Sequence, residues 1–260
     1  MKVFVCNKKR VAAYIALLFC AVGILALGSI QTTDVYGNGG DKRLPIYSVD
    51  RGEEKVVCLT FDAAWDDADT DVLIGVLKKY NVPATFFMVG SWVEKYPESV
   101  KKFADAGHEI MNHSDTHPHI DKLSDVKIKE ELKGCSDKIE AVTGVRPTLF
   151  RGPYGEYNNA VIAEAEAQGM LTLQWDVDSL DWKNLSANDI VERVVSRVKP
   201  GSVMLFHNGA KNTPEALPQV IEKLQAQGYR FVKASDLVHK ENYTIDHSGK
   251  QILNGEGAGC

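Results

Sequence analysis

Seven short apolar runs, each followed by a stretch of different periodicity, constrain this chain more than any other feature. The runs cover 56–61, 84–89, 108–112, 148–151, 171–177, 202–207 and 229–233. Between them the apolar residues recur at helical spacing, which predicts helices over 69–80, 97–106, 158–168 and 214–227. Two more start behind Ser124 and Ser186. In the first, Val72, Leu73, Val76 and Leu77 are expected to face inward. Pro97 stands at a helix start, and Gly107, Gly144, Gly169 and Gly228 stand just past helix ends. Strands that are apolar throughout belong to a sheet covered on both faces. Strands separated by helices run parallel, with right-handed crossovers. Seven such units either close into a distorted (β/α)7 barrel of parallel strands with a gap or remain an open doubly wound sheet. The barrel is the expectation here.

The first thirty residues stand apart. Lys2, Lys8, Lys9 and Arg10 precede an uncharged, apolar or small run over 11–30. About 20 residues of helix cross a bilayer core, and cations ahead of such a run keep its start in the cytoplasm. An uncleaved membrane anchor is expected, with a cleaved signal peptide as the competing reading. Either way the body is exported. The polar stretch 31–43 reads as a linker, 44–240 as one catalytic-size domain and 241–260 as a loose tail. The formal charge is −5, and without the four leading cations the remainder carries −9. An acidic body argues against nucleic acid or an anionic membrane surface as the main partner. A monomer acting on a neutral or cationic substrate is expected. Of five cysteines, Cys6 and Cys20 fall in the apolar run, Cys58 in the first strand and Cys135 on a helix face. With Cys260 these form no disulfide framework.

The ionisable residues gather where the predicted strands finish. The first ends in Thr60-Phe61-Asp62, and the third in Asn112-His113-Ser114-Asp115-Thr116-His117-Pro118. The fourth runs into Arg151-Gly152-Pro153-Tyr154-Gly155, the fifth into Asp178-Ser179-Leu180-Asp181-Trp182, and the sixth ends in His207. In a parallel barrel these ends meet at one mouth, the usual address for chemistry. His113 and His117 are four apart, so one helical turn would aim both rings at a single metal ion. Each residue also has a plainer reading. Asp62 suits a helix cap, Arg151 a surface ion pair, Tyr154 a turn, Trp182 the core, and His207 a hydrogen-bonded structural histidine. All of them falling on one rim by accident is far less probable than any one reading alone.

This ordered set resembles the NodB-homology polysaccharide deacetylases, carbohydrate esterase family 4, over roughly residues 54–240, and most resembles the sporulation-associated, cell-wall-directed members. The resemblance implies hydrolysis of N-acetyl groups from amino sugars of a cell-wall polysaccharide such as peptidoglycan, aided by a divalent metal, usually zinc. By that match His113 and His117 hold the metal, and Asp62 is the general base, held and tuned by Arg151. The Tyr154 N–H helps stabilise the oxyanion. Asp181 orients His207, which protonates the departing amine. Pro153, Tyr154 and Trp182 wall the sugar groove.

One position departs from the family pattern. Where the family places a second aspartate as third metal ligand, this chain reads Asp62-Ala63-Ala64-Trp65. Three outcomes follow. The metal keeps two histidines and more water, Asp66 or Asp67 swings in, or Asp62 becomes the ligand and leaves the base role vacant. The departure also motivates an alternative: a catalytically impaired glycan-binding protein that retains the groove. A third reading takes Asp178 and Asp181 as the paired carboxylates of a glycoside hydrolase.

Overall fold

The computed structural model describes residues 42–254. The predicted anchor at 11–30, most of the linker, Cys6, Cys20 and Cys260 lie outside these residues. None of the described helices is long and apolar enough to cross a membrane.

In chain order the elements are β1 (Ser48–Val49), β2 (Val56–Ala63), α1 (Thr70–Lys79), β3 (Thr85–Met88), α2 (Gly90–Lys95), α3 (Pro97–Asp105) and β4 (Glu109–Asn112). These are followed by α4 (Asp125–Thr143), β5 (Leu149–Phe150), α5 (Asn159–Ala167), β6 (Leu171–Thr172), β7 (Val177–Asp178) and α6 (Ala187–Val195). The chain closes with β8 (Val203–His207), α7 (Thr213–Ala226), β9 (Arg230–Val232), α8 (Ala234–Leu237), β10 (Tyr243–Ile245) and β11 (Lys250–Leu253).

Strand β2 is the centre, and all eight of its residues are buried. It pairs in parallel with β3 on one side and, on the other, with β9 along Val56–Cys58 and β8 along Cys58–Asp62. The main path runs β6-β5-β4-β3-β2-β8-β7. Its two outermost strands are the halves of the single strand expected over 171–177. Only residues 173–176 separate them, so the five steps from Thr172 to Val177 span at most about 18 Å. The sheet must therefore curl until its edges meet, which makes it a (β/α)7 barrel closed by chain rather than by a ladder. The predicted strand breaks because its middle serves other partners. Gln174 N–H bonds to Ile46 C=O, and Asp176 N–H to Val203 C=O.

Alternation along β2 sorts its two faces. Val57, Leu59, Phe61 and Ala63 join the outer apolar layer, with Leu73, Leu77, Phe86 and Met204. Val56 and Cys58 point inward, among Phe87, Met111, Leu173 and Val203. Thr60 and Asp62 continue that inward row to the strand's end. The barrel is thus apolar at the start of its strands and polar at their finish.

Some expectations change. Val72 is half exposed, because the buried stripe of α1 runs through Thr70, Leu73 and Leu77. Helix α2 was not foreseen. Its first residue, Gly90, lets the Asp115 side chain pack close, since a Cβ there would displace Asp115 Oδ1 and crowd the Asp115 Cα at 3.1 Å. The stretch after 240, expected as loose, pairs as β10 and β11 in a three-stranded sheet with β1. Cys58 and Cys135 are buried free thiols, as expected of core cysteines.

Candidate active site

Asp62 and His207 sit opposite each other in the β2–β8 register, so their side chains leave the sheet on the same face. Each is held by a different buried partner. Arg151, at the end of β5, has no exposed surface. Its guanidinium donates to Asp62 Oδ1 at 2.7 Å, to Thr60 Oγ1 at 3.0 Å, and to the carbonyls of Gln174 and Leu173 at 3.0 and 3.2 Å. The charge also lies over the rings of Phe87 and Trp175. Burial works to raise the Asp62 carboxyl. Arg151 and the nearby His113 and His207 outweigh it and hold Asp62 below the usual carboxylate range. The base position is therefore ionised at neutral pH.

Across the mouth, Asp181 is buried and accepts four hydrogen bonds. Its donors are His207 Nδ1 at 2.7 Å, His207 N–H at 2.8 Å, Trp182 N–H at 2.9 Å and Thr213 Oγ1 at 2.7 Å. The turn that delivers it is flanked by Leu180 and Asn184, both left-handed at φ 55°. Such backbone costs about 1–3 kcal/mol per residue and tends to be stored at functional sites. Burial alone would lower the His207 pKa. The bond and charge of Asp181, with Asp62 and Asp178 farther off, raise it overall. An imidazole that stays protonated above its usual range is suited to donate a proton.

His113 and His117 meet, with ring centroids 5.0 Å apart, but not through the expected helical turn. The chain leaves β4 as a loop in which Ser114 and His117 are left-handed at φ 65° and 60°. Ser114 N–H bonds Asn112 Oδ1 at 2.8 Å, His117 N–H bonds Ser114 Oγ at 3.1 Å, and Glu131 on α4 takes the N–H groups of Asp115 and Thr116. His113 Nδ1 donates to the Arg151 carbonyl at 2.8 Å, which leaves Nε2 free and 3.6 Å from Asp62 Oδ2. One residue, Arg151, thus fixes the carboxylate with its side chain and the imidazole with its backbone. Burial lowers the pKa of His113. Burial, followed by the neighbouring His113, lowers that of His117 to about 4. Both rings are neutral at pH 7, the form a metal requires, and the Nδ1–carbonyl bond is the outer contact that metal-binding histidines usually make.

A third protein ligand is the weak point. Among the described residues no group of three or more His, Cys, Asp or Glu is spaced to hold a metal. Ala63 is buried in the outer apolar layer. The proposed substitutes face elsewhere: Asp67 Oδ2 accepts from Ser99 Oγ at 2.7 Å, and Asp66 Oδ1 caps the Ala68 N–H at 3.1 Å. The imidazole pair fits a metal, and the carboxylate nearest it is Asp62.

Tyr154 and Trp182 are 62% and 48% exposed at the rim. Tyr154 is left-handed at φ 59°, and its ring lies edge-on to His117 at 4.6 Å. Pro153, expected as a groove wall, is buried and shapes the turn instead. Asp178 Oδ1 is engaged by the Leu180 N–H. With Asp181 fully engaged, the two do not form a free carboxylate pair. Sequence reasoning missed the bracing roles of Thr60 and Thr213. A lone hydroxyl on the inward row of an apolar strand was the available sign of the first; the second had none.

Comparison with known proteins now decides the family. The family model for polysaccharide deacetylase matches residues 50–173. The peptidoglycan-N-acetylmuramic acid deacetylase PdaC of Bacillus subtilis is 38% identical over 71% of this chain, which spans 39% of that protein. A peptidoglycan-N-acetylglucosamine deacetylase of Bacillus cereus is 36% identical over 71% of this chain and 89% of its own length. This chain belongs to the polysaccharide deacetylase family. In structure it resembles a carbohydrate esterase family 4 pseudoenzyme from Bacillus anthracis, at 35% identity, with a TM-score of 0.73 over 75% of this chain and 69% of that one. A mutant described as that pseudoenzyme with restored enzymatic activity superposes equally well, at 36% identity over 75% and 71% of the two chains. The family therefore holds both deacetylases and a pseudoenzyme on one barrel.

Proposed function

We propose that the protein hydrolyses N-acetyl groups from amino sugars of a cell-wall polysaccharide, peptidoglycan, outside the cytoplasm. The observation that carries this reading is the pair of opposed, separately braced groups, ionised Asp62 and protonatable His207, beside two neutral imidazoles. Asp62 takes the proton of the attacking water. Arg151 keeps Asp62 ionised and aimed. His207 gives a proton to the sugar nitrogen as the C–N bond breaks, and Asp181 holds the imidazole in the tautomer that leaves Nε2 facing the mouth. The Tyr154 N–H contributes to oxyanion stabilisation, and the aromatic side chains of Tyr154 and Trp182 border the sugar.

A divalent metal, with zinc the first choice, would be held by His113 and His117 and would supply polarisation of the acetyl carbonyl. Residues 1–30 serve as a membrane anchor for a monomeric catalytic domain. The test is acetate release from acetylated peptidoglycan and chito-oligosaccharides by the full chain, with and without zinc or cobalt. Metal-stimulated release supports the reading. Cleavage of the glycan backbone without acetate overturns it.

A second reading has its own observation. Ala63 removes the family's third ligand, and a structural relative is a pseudoenzyme. In that reading the protein binds glycan in the groove and turns it over slowly or not at all. Tight oligosaccharide binding with no acetate release at saturating metal would select it.

A further inference from the structure

We propose that Trp65 is a substrate-positioning residue, a fixed aromatic platform for the sugar ring adjoining the one whose acetamide lies at His207. The inference rests on the amino-sugar reading above and extends it. Three observations carry it. Trp65 is 51% exposed, although a tryptophan loses much favourable burial by facing water. Its ring lies 5.3 Å from that of His207, tilted by 42°. The loop that presents it is pinned rather than loose. Asp66 C=O accepts from Trp92 Nε1 at 3.3 Å and from Asn208 Nδ2 at 2.5 Å. Ala68 N–H caps Asp66 Oδ1, and Gly209 N–H bonds Asp69 Oδ2 at 2.7 Å.

A single exposed apolar residue is ordinary; what sets Trp65 apart is that its ring stands against the imidazole at the mouth, on a loop held by four hydrogen bonds. The chemistry identifies the occupant. The imidazole of His207 occupies the inner side of Trp65, so no sugar fits between them. The exposed side of the indole therefore faces away from the reacting centre, where the next ring of a polymer held at His207 can rest. Pyranose rings present C–H faces that complement an aromatic face, and Trp182, joined to the same Asp181 carboxylate through its N–H, borders this side of the mouth as well. A platform there binds a non-reacting ring equally in the ground and transition states, so its loss is read mainly in KM.

The test compares wild type, Trp65→Ala and Trp65→Phe, each as the full chain with saturating zinc, on tetra-N-acetylchitotetraose and on N-acetylglucosamine. Trp65→Ala is expected to raise KM for the tetrasaccharide about tenfold while kcat falls less than about threefold. Phe is expected to restore most of the loss, and the monosaccharide, which has no adjoining ring, should not distinguish the variants. An unchanged tetrasaccharide KM overturns the inference. So does an equal loss on both substrates, or an effect confined to the pH profile, which would make Trp65 only a shield over His207. If wild type binds the tetrasaccharide without releasing acetate, the same variants are read as Kd by fluorescence titration: weaker binding in Ala alone supports the platform, and equal binding overturns it. Absence of both binding and release in wild type overturns the glycan reading itself and this inference with it.

Discussion

The two shoulders of the mouth are built to different standards. On the β8 side, His207 makes two bonds to Asp181, which takes four donors in all, so the imidazole has one orientation and one tautomer. On the β4 side two imidazoles converge, but the neighbouring position that supplies a carboxylate elsewhere in the family is an alanine facing the outer apolar layer. The proposed acid and base are over-determined, and the proposed metal pair is under-supplied. If this protein is slow, metal affinity is therefore the place where it is slow, because the proton-transfer groups are already set.

The largest effect should come from the over-determined side. Asp62→Asn and His207→Ala are each expected to lower kcat/KM by about 10²–10⁴-fold in the acetate assay while leaving the fold intact by circular dichroism. Full activity in either would remove that residue from the proton transfers. Next comes Arg151→Met. It leaves a buried carboxylate without its cation and removes four bonds from the barrel interior, so a loss of about 3–5 kcal/mol in denaturant unfolding is expected along with most activity. A loss below about 1 kcal/mol would mean that water replaces the guanidinium.

The pH profile sharpens the contrast further. Asp62 works ionised, and its pKa is lowered, so the acid limb of kcat/KM should lie below the ordinary carboxylate range, with activity lost only as pH falls through that depressed value. His207 works protonated, and its pKa is raised, so the alkaline limb should lie above the ordinary imidazole range and activity should fall as pH rises through it. Asp181→Asn removes the main raising influence and should move only the alkaline limb, toward lower pH. Movement of both limbs would show that Asp62 and His207 do not titrate independently, and movement of neither would remove Asp181 as the group that raises His207.

Much of this contrast was readable from residues alone. The barrel followed from uninterrupted apolar strands, and the mouth from polar residues that begin where those strands end. What escaped was geometry set by single backbone angles and by partners distant in sequence. The His113–His117 loop reaches its shape through two left-handed residues and through Glu131, 14 positions after His117; a spacing of four suggests a helical turn just as well. The break in the 171–177 strand depends on Ile46 and Val203, which no local pattern names. Pro153 was expected in the groove wall with Tyr154 and Trp182, yet the turn buries the proline and exposes the tyrosine. The hairpin after 240 is polar because it lies at the edge of the fold, where alternation is too weak to signal strands.

The most informative change is Ala63→Asp. Position 63 lies at the end of an outward-facing row, among Phe61, Val89 and Trp92, where an aspartate has no ready partner. In the metal-free protein it should cost about 3–5 kcal/mol, lowering Tm by about 10 °C. A metal at His113 and His117 offers that carboxylate a partner only if the last residue of β2 rotates toward the mouth. The two effects then oppose each other. Zinc should raise the variant's Tm by more than it raises that of wild type, and the midpoint for zinc activation should fall by about tenfold or more, as an added charged ligand implies. If zinc fails to recover the stability lost, the strand end does not rotate, and Asp62, whose Oδ2 lies 3.6 Å from His113 Nε2, is left as the carboxylate beside the imidazole pair. Base and ligand would then compete for a single side chain, and acetate release should remain slow at any metal concentration.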